Sequence, residues 1–239
     1  MIAAIQAAWS PLAPTPLLWI VVTIGAYLVA KRLNMLSRGS AIVNPVLIAI
    51  LLTAAVVLAI HVPYPTYFAG AQFINFLLGP ATVALAVPLA RNFRHIKSSI
   101  TGLGLALAAG SFVSIGSGIV LVWLLGGTQS VALSMAPKNV TTPIAIAVSQ
   151  QIGGVPALTA TLAIVGGIFA ASIGRRLLTL LRIDDHRTHG FVAGVVGSGV
   201  AAAEVSSLGG LAAAFAALGI ALNGVVTALV TPLLASFWH

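Results

Sequence analysis

The segment between residues 133 and 154 is apolar at both ends and polar in the middle, and its sequence is LSMAPKNVTTPIAIAVSQQIGG. Its middle holds two prolines and four hydrogen-bonding side chains: Pro137, Lys138, Asn139, Thr141, Thr142 and Pro143. Each proline lacks a backbone N–H and crowds the preceding turn, so the segment cannot form one continuous helix. Broken backbone is tolerated at membrane depth only where protein or a water-filled cavity surrounds it. The segment is therefore the leading candidate for a binding site inside a membrane protein.

The composition of the chain excludes a soluble fold. Of its 239 residues, 59% are hydrophobic and 6% are charged, whereas soluble globular domains carry about 25% charged residues. Such a chain cannot cover a water-facing surface, so we predict an all-α membrane protein, a polytopic helical bundle. At about 20 residues per span, the apolar stretches give about seven to nine hydrophobic segments. No polar stretch is long enough to fold separately, so residues 1–239 are predicted to form a single membrane domain.

The charge of the chain indicates its orientation and its partners. Eleven Lys and Arg against three acids give a net charge of +8. The basic residues stand in short clusters at the ends of apolar runs, which is typical of cytoplasmic loops rather than of a nucleic-acid surface. We therefore predict contact with anionic membrane lipid and no nucleic-acid partner. The N-terminus has no basic n-region, so no removable signal peptide is predicted.

The sidedness of the chain depends on how residues 128–154 lie in the membrane. Ten of the eleven basic residues fall on one face if the N-terminus is outside and this segment enters and leaves on the same face, as a re-entrant hairpin. A full crossing would instead move Arg175 and Arg176 to the outer face. We prefer the hairpin, and because the rule is statistical, a full crossing stays an open alternative.

A second apolar stretch, residues 68–89, is cut by Gly79 and Pro80, and Thr82 follows the cut. Residues 80–88 (PATVALAVP) resemble residues 141–149 (TTPIAIAVS). Interrupted segments in corresponding halves indicate internal repeats with a binding site at the bilayer midplane, although Ala- and Val-rich runs also resemble one another by chance. Half-helix N-termini at two such breaks would offer free N–H groups and a favourable dipole to an anion.

Lys138 is the basic residue that lies far from any span end. A charge at the bilayer centre costs about 2.5–3.5 kcal/mol, which makes it a functional hypothesis by default. We predict that Lys138 attracts a substrate carboxylate beside the hydroxyls of Thr141 and Thr142, with Asn139 and Thr82 as further contacts. The alternative is that Lys138 snorkels to the outer interface from a shallow hairpin.

Glu204 is the acid that lies within an apolar segment, whereas Asp184 and Asp185 belong to a basic loop and are predicted to be solvated. We predict that Glu204 carries protons, because a buried carboxyl can exchange them near physiological pH. It could instead pair with Lys138 or lie at a helix end in the interface. The histidines form no i, i+4 pair, cysteine is absent, and no nucleophile–base constellation stands out. We therefore predict no metal site, no cofactor and no enzymatic activity.

Two strings resemble the LrgB/CidB family of bacterial membrane proteins: FLLGPATVALAVPL at residues 76–89 and SMAPKNVTTPIAIAVSQQIGG at residues 134–154. The most specific part is the PKxVTTPIA string at residues 137–145, and the resemblance extends from about Ala41 to the end. It implies a multi-pass protein of the bacterial inner membrane with a small LrgA/CidA holin-like partner. Members are described as antiholin-like regulators of murein hydrolase activity and cell lysis. Others, including the plastidial glycolate/glycerate translocator, are tied to transport of small carboxylates.

The chain departs from the family pattern at residues 194–204, whose sequence is GVVGSGVAAAE. The family has a His in this Gly- and Ser-rich stretch, ahead of an Ala/Glu element. Here Glu204 is retained and the His is absent, while His189 lies too early to replace it by simple alignment. If that His serves coupling or substrate contact in relatives, this chain differs in substrate or mechanism, or has lost transport.

These observations predict a homo-oligomeric carrier of small monocarboxylates such as pyruvate, glycolate or glycerate, coupled to protons through Glu204. The alternative is an antiholin-like regulator of murein hydrolase activity and cell lysis that carries no solute, and a third possibility is a passive pore. A regulator or a pore needs only packing faces between helices. The small residues between Gly102 and Gly118 are predicted to provide one, because small residues spaced by four let helices approach closely in lipid.

Overall fold

The computed structural model describes residues 15–37, 43–77, 80, 83–84 and 86–236, and the regular structure of these residues is helical throughout. The helices are α1 (Pro16–Leu36), α2 (Pro45–Ala59), α3 (Tyr64–Phe76), α4 (Ala86–Arg91), α5 (Phe93–Ser98), α6 (Ile100–Leu124), α7 (Gln129–Met135), α8 (Thr142–Ile152), α9 (Pro156–Leu180), α10 (His186–Val205) and α11 (Gly210–Ala235). A 3-10 turn, Ser206–Leu208, joins α10 to α11. This organisation confirms the predicted all-α membrane class.

Five helical stretches of the described chain are long and apolar enough to cross a membrane: α1, α6, α9, residues 186–208 and α11. Two of these helices continue past the basic residues that follow their apolar runs. Helix α1 extends beyond Lys31 and Arg32 to Leu36, and α9 extends beyond Arg175 and Arg176 to Leu180. Lys and Arg are good helix formers with long side chains that reach the interface, so the first basic residues do not stop a helix.

The chain divides into two compact units, Met1–Ala84 and Leu85–His239. In the first unit, α1 packs against α2 and α3 around Trp19, which is 1% exposed. The Trp19 ring meets the edge of Tyr67 at a centroid distance of 5.6 Å. A Cβ on Gly70 would lie 2.8 Å from Trp19, so only glycine lets α3 approach this closely. Tyr64 and Tyr67 both belong to the first turn of α3.

In the second unit, residues 129–152 form a helical hairpin, which we call the first hairpin. The chain that follows the hairpin packs against the first helix of the hairpin, α7. The Val155 N–H donates to Ser134 Oγ at 2.7 Å, and the Thr159 hydroxyl donates to the Ser134 carbonyl at 3.0 Å. This course agrees with the predicted hairpin rather than with a full crossing. The break predicted at Pro137 is observed between α7 and α8. Pro143 lies in the first turn of α8, where its missing N–H has no intrahelical partner to lose.

A second hairpin, residues 186–208, was not predicted. Ser198 interrupts α10 with φ 50° and ψ −138°, so the chain changes direction there. A Cβ on Gly190 would collide with the carbonyl of Ala212, close to the start of α11. Residues 199–208 must therefore return to the level of Gly190 before α11 begins, which a straight helix of this length would not allow. The predicted break at Gly79 and Pro80 involves residues 78, 79, 81 and 82, which lie outside the described residues.

Glycines hold the second hairpin tightly against α11. A Cβ on Gly194 would collide with the Ala216 carbonyl, and one on Gly219 would lie 2.7 Å from the Phe191 carbonyl. Gly190 and Gly194 are four residues apart, which places both on one helix face. This is the small-xxx-small pattern that lets helix backbones approach closely within lipid.

The two hairpins enter the second unit from opposite ends. Ile152 of the first hairpin packs in one cluster with Ile119 and Ala235, near the ends of α6 and α11. The second hairpin begins at the other end of α6, because Arg187 and Leu103 line the same cavity of about 310 Å³. Helices α6, α9 and α11 therefore connect the two ends, and one hairpin reaches inward from each.

Basic residues that flank the helices of this unit gather at the end where the second hairpin enters. They precede α6 or flank the turn between α9 and α10: Lys97, Arg175, Arg176, Arg182 and Arg187. This is the clustering that the hairpin hypothesis predicted for the basic residues. The assignment of this end to the cytoplasm remains a prediction.

Candidate functional site

Asn223 joins the tips of the two hairpins near the middle of α11. Its Nδ2 donates to the Asn139 carbonyl at 3.0 Å and to the Val195 carbonyl at 2.9 Å, and its Oδ1 accepts from Ser111 Oγ at 2.8 Å. In a continuous helix the Val195 carbonyl would accept from the residue four positions later, so the break at Ser198 frees it. Asn223 is 2% exposed, and its single amide ties α6 and both hairpins together.

The hairpin tips meet end to end along α9. Ala163 packs in one cluster with Val140 of the first tip. One turn later, a Cβ on Gly167 would lie 3.1 Å from the Gly197 carbonyl of the second tip. Both tips therefore lie deep within the unit, at adjacent turns of the same crossing helix. This arrangement brings the two broken segments of the unit together. The break in the first hairpin was predicted from the sequence, whereas the break in the second hairpin was not.

Lys138 places its ammonium group against α6. Its Nζ donates to the Ser114 carbonyl at 2.6 Å and to Ser114 Oγ at 3.3 Å. The ammonium also occupies the space beside Gly118, where an added Cβ would lie 2.9 Å from Nζ. In the described part of the chain, the ion pair found is that between Arg187 and Asp185, at 2.8 Å. Lys138 is therefore a half-buried cation without a carboxylate partner.

The other predicted residues of the first tip surround the start of α8. Thr141 occupies the N-cap position with φ −60° and ψ 141°, but its side chain makes no capping hydrogen bond. Asn139, Thr141 and Thr142 are partly buried, and within the described residues their side chains have no protein partner. The first N–H groups of a helix also lack intrahelical partners. The structure thus brings these residues to one place and leaves their polar groups available.

The small residues between Gly102 and Gly118 on α6, which were predicted to form a packing face, have different surroundings. Gly102 and Gly104 have open space around them, so they hold no helix of the described chain closely. A Cβ on Gly110 would lie 3.4 Å from Val195 Cγ1, at the edge of ordinary van der Waals contact. Ser114 accepts from the Lys138 ammonium, and Gly118 faces both that ammonium and Met135 at the end of α7. The prediction that this stretch is a packing face therefore holds only in part.

Glu204 lies away from the hairpin tips. It is exposed at the C-terminal end of α10, which matches the alternative of a helix-end position and contradicts an ion pair with Lys138. Glu204, His189 and Arg175 line a cavity of about 160 Å³ beside the second hairpin. His189 donates or accepts at Nε2 with the Ile183 carbonyl at 2.7 Å. His189 lies too early in the sequence to replace the missing family His by simple alignment, but the reversal at Ser198 brings it to the same cavity as Glu204.

The acids of the basic loop are solvated, as predicted. Asp185 caps α10 by accepting from the Arg187 N–H at 2.9 Å. The hydrogen bond from the Arg187 side chain is the main cause that lowers the pKa of Asp185. Among the described residues, no three His, Asp or Glu side chains come close enough together to hold a metal ion. Thr82 and Gly79 lie outside the described residues.

Ser111, Ser114 and Ser198 belong to the site but were not predicted from the sequence. Ser198 is 8% exposed, and its Oγ has no hydrogen-bond partner among the described residues. The available signal was the Gly197-Ser198-Gly199 string inside an apolar segment, because flanking glycines permit a sharp change of direction. Ser111 carried no such signal, since its importance depends on a partner 112 positions away.

Comparison with known proteins finds one matching family and relatives that align over most of the chain. The sequence profile of the LrgB-like family matches residues 23–237. The Uncharacterized protein YwbG of Bacillus subtilis (strain 168) is 31% identical over 221 residues, which cover 92% of this chain and 96% of that protein. The Antiholin-like protein LrgB of Bacillus mycoides (strain KBAB4) is 29% identical over 223 residues, with coverages of 93% and 97%. No solved structure matches.

Proposed function

Since the chain belongs to the LrgB-like family of multi-pass membrane proteins, we propose that it carries small monocarboxylates of the pyruvate, glycolate or glycerate type across the bacterial inner membrane. One observation carries this proposal. The ammonium group of Lys138 lies at the tip of a broken segment, without a carboxylate partner in the described chain. An unpaired charge at that depth is costly, and such residues mark solute pathways in membrane proteins.

The chemistry of the first tip suits a carboxylate. An ammonium group has three donors, and Ser114 accepts from at most two of them, so at least one remains for an anion. The hydroxyls of Thr141 and Thr142 can donate to the carboxylate oxygens. The start of α8 adds free N–H groups and the positive end of the helix dipole. A single cation balances one negative charge, which favours a monocarboxylate over a dicarboxylate.

We also propose that proton movement accompanies transport and that Glu204 takes part in it. The observation that supports this role of Glu204 is the cavity that it shares with His189 and Arg175 beside the second hairpin. The end that carries the basic residues would face the cytoplasm, following the positive-inside rule. In that orientation the first hairpin enters from the outside and the second from the cytoplasm.

Uptake into proteoliposomes tests the carrier proposal. Purified protein would be reconstituted, a pH gradient imposed, and accumulation of labelled pyruvate and glycolate measured. We expect saturable uptake by the unaltered protein and none above empty liposomes for Lys138→Ala. Lys97→Ala is the matched control, because Lys97 is an exposed lysine outside the hairpins. Normal uptake by a folded Lys138→Ala protein would refute the proposed site.

A second candidate function is regulation of murein hydrolase activity and cell lysis without solute transport. The observation that favours it is the name of two relatives, Antiholin-like protein LrgB, which refers to an antiholin-like role and to no solute. These names support the regulatory role more directly than they support the carrier. In this role the chain would act with a small holin-like partner, as a homo-oligomer whose faces contact that partner.

Lysis assays separate the two functions. The chain would be co-expressed with a small holin-like partner, and autolysis would be followed by the loss of culture turbidity. If the chain regulates without transporting, Lys138→Ala should restrain lysis as well as the unaltered protein, and proteoliposomes should show no uptake. If transport underlies the effect, the same substitution should abolish both activities.

A further inference from the structure

The second unit contains two copies of one arrangement in opposite directions. Helix α6 crosses the unit and is followed by the first hairpin, which re-enters from the end where α6 finishes. Helix α9 crosses in the other direction and is followed by the second hairpin, which re-enters from the end where α9 finishes. Two such halves are related by an axis in the membrane plane, as in transporters with inverted repeats.

We propose that Ser198, at the tip of the second hairpin, supplies the second half of the anion site and that this site opens alternately to the two faces of the membrane. This inference rests on the proposed carrier function. It assigns a binding role to the second hairpin, whereas Thr82 was predicted from the sequence as the contact from a second broken segment. The ligand is again a small monocarboxylate, bound between the two tips.

Ser198 has two properties that a structural residue rarely combines. Its hydroxyl is buried and has no partner in the described chain, although buried hydroxyls are normally hydrogen-bonded. Its backbone also has a φ of 50°, in the left-handed region that disfavours a residue with a side chain. Strained residues of this kind cluster at ligand sites and switch regions. A ligand oxygen that accepts from the hydroxyl would explain why serine stands here instead of glycine.

The position of Ser198 fits this role. It lies one helical turn beyond Val195, whose carbonyl accepts from the Asn223 amide. The other N–H of that amide donates to Asn139, which is next to Lys138. One carboxamide therefore links the second tip to the residues that would hold the anion.

The same amide explains how each tip can move separately. Asn223 holds each hairpin by one hydrogen bond, so either bond can break while the other remains. Movement of the first tip would open the site towards the end where the first hairpin enters. Movement of the second tip would open it towards the opposite end. Inverted repeats provide such alternation because the two halves exchange conformations.

Cysteine accessibility tests the inference directly, because the natural chain contains no cysteine. Single-cysteine variants Ser198→Cys and Thr141→Cys would be treated with a negatively charged, membrane-impermeant methanethiosulfonate in right-side-out and in inside-out vesicles. Thr128→Cys and Asp184→Cys calibrate the faces, because both positions are exposed in turns at opposite ends of the unit. Each calibration thiol should react from one face only.

We expect Ser198→Cys and Thr141→Cys to react from both faces, and we expect pyruvate to slow both reactions severalfold. Reaction of Ser198→Cys from one face only would overturn alternating opening. Protection of Thr141→Cys but not of Ser198→Cys would overturn the role of Ser198 and leave the carrier proposal standing. Protection of neither would overturn the carrier proposal together with this inference.

A second variant guards against misfolding. Ser198→Gly removes the hydroxyl at a backbone conformation that glycine adopts without strain, so the variant should fold in normal yield. We expect a severalfold increase in the KM for pyruvate uptake with little change in the maximal rate. An unchanged KM in folded protein would overturn the contact between Ser198 and the anion.

Discussion

Replacing Asn223 with leucine should loosen both hairpin tips at once. The carboxamide makes three hydrogen bonds, to Asn139, Val195 and Ser111. A hydrogen bond between membrane helices contributes about 0.6 kcal/mol on average, so the loss of three costs about 2 kcal/mol. Leucine has the same branched shape but a larger volume, so the substitution leaves no cavity and any overpacking adds to this cost.

The matched comparison is Ser111→Ala, which removes only one of the three bonds. Its expected cost is about 0.6 kcal/mol. For a domain of about this size, 1 kcal/mol shifts the unfolding midpoint by about 2–4 °C. Thermal unfolding in detergent, followed by tryptophan fluorescence, should therefore show a decrease of about 4–8 °C for Asn223→Leu and of about 1–2 °C for Ser111→Ala.

The ratio of the two shifts decides whether Asn223 connects three elements. Equal shifts would mean that only the bond to Ser111 contributes to stability. The carbonyls of Asn139 and Val195 would then need no donor, which would contradict a central role for the Asn223 amide.

Three further predictions concern close contacts in the second unit. Gly118→Ala should displace the lysine ammonium and reduce pyruvate uptake at least severalfold, whereas Gly104→Ala, at an open position, should leave uptake unchanged; equal uptake by both would contradict this. Gly194→Ala forces a Cβ onto a backbone carbonyl and should destabilise the folded protein by about 1–3 kcal/mol, measured by thermal unfolding. In the double variant Gly167→Cys, Val200→Cys, a disulfide should form on oxidation, because a Cβ at residue 167 would lie 3.3 Å from the Val200 Cβ. This disulfide should tether the second hairpin to α9 and stop uptake until a reductant is added. Uptake that persists in fully oxidised protein would show that the second hairpin need not move.

The first hairpin was predictable because its break is encoded locally. Pro137 and Pro143 exclude a continuous helix whatever surrounds them, and Lys138 excludes a lipid-facing position. The second hairpin has no proline or charge at its tip. Gly197 and Gly199 are equally suited to helix packing, so the sequence alone does not distinguish a break there from a packing face.

Long-range partners could not be predicted from sequence patterns. Asn223 is a polar residue within an apolar segment, and its three hydrogen-bond partners are 84, 28 and 112 positions away. Likewise, the shared cavity of His189 and Glu204 arises only because the chain reverses between them. A comparison of linear sequences takes no account of such a reversal, so it could not show that these two residues share a cavity.

Helix ends were predicted less accurately than helix centres for a physical reason. From the sequence, a basic residue such as Arg175 marks the end of a membrane span, because charges avoid the hydrocarbon core. The helix itself ends where its backbone loses hydrogen-bond partners, and α9 continues beyond Arg175 to Leu180. The end of a helix therefore need not coincide with the boundary of the membrane.

Equilibrium binding of labelled pyruvate to the purified protein tests the central claim most directly, because binding at the first tip does not depend on transport or on a partner. Lys138→Met removes the charge and keeps the length of the side chain, and Lys97→Met serves as its control. We expect saturable binding to the unaltered protein and to Lys97→Met, and none to folded Lys138→Met. Equal binding by all three proteins, or no saturable binding by folded unaltered protein, would contradict an anion site at Lys138.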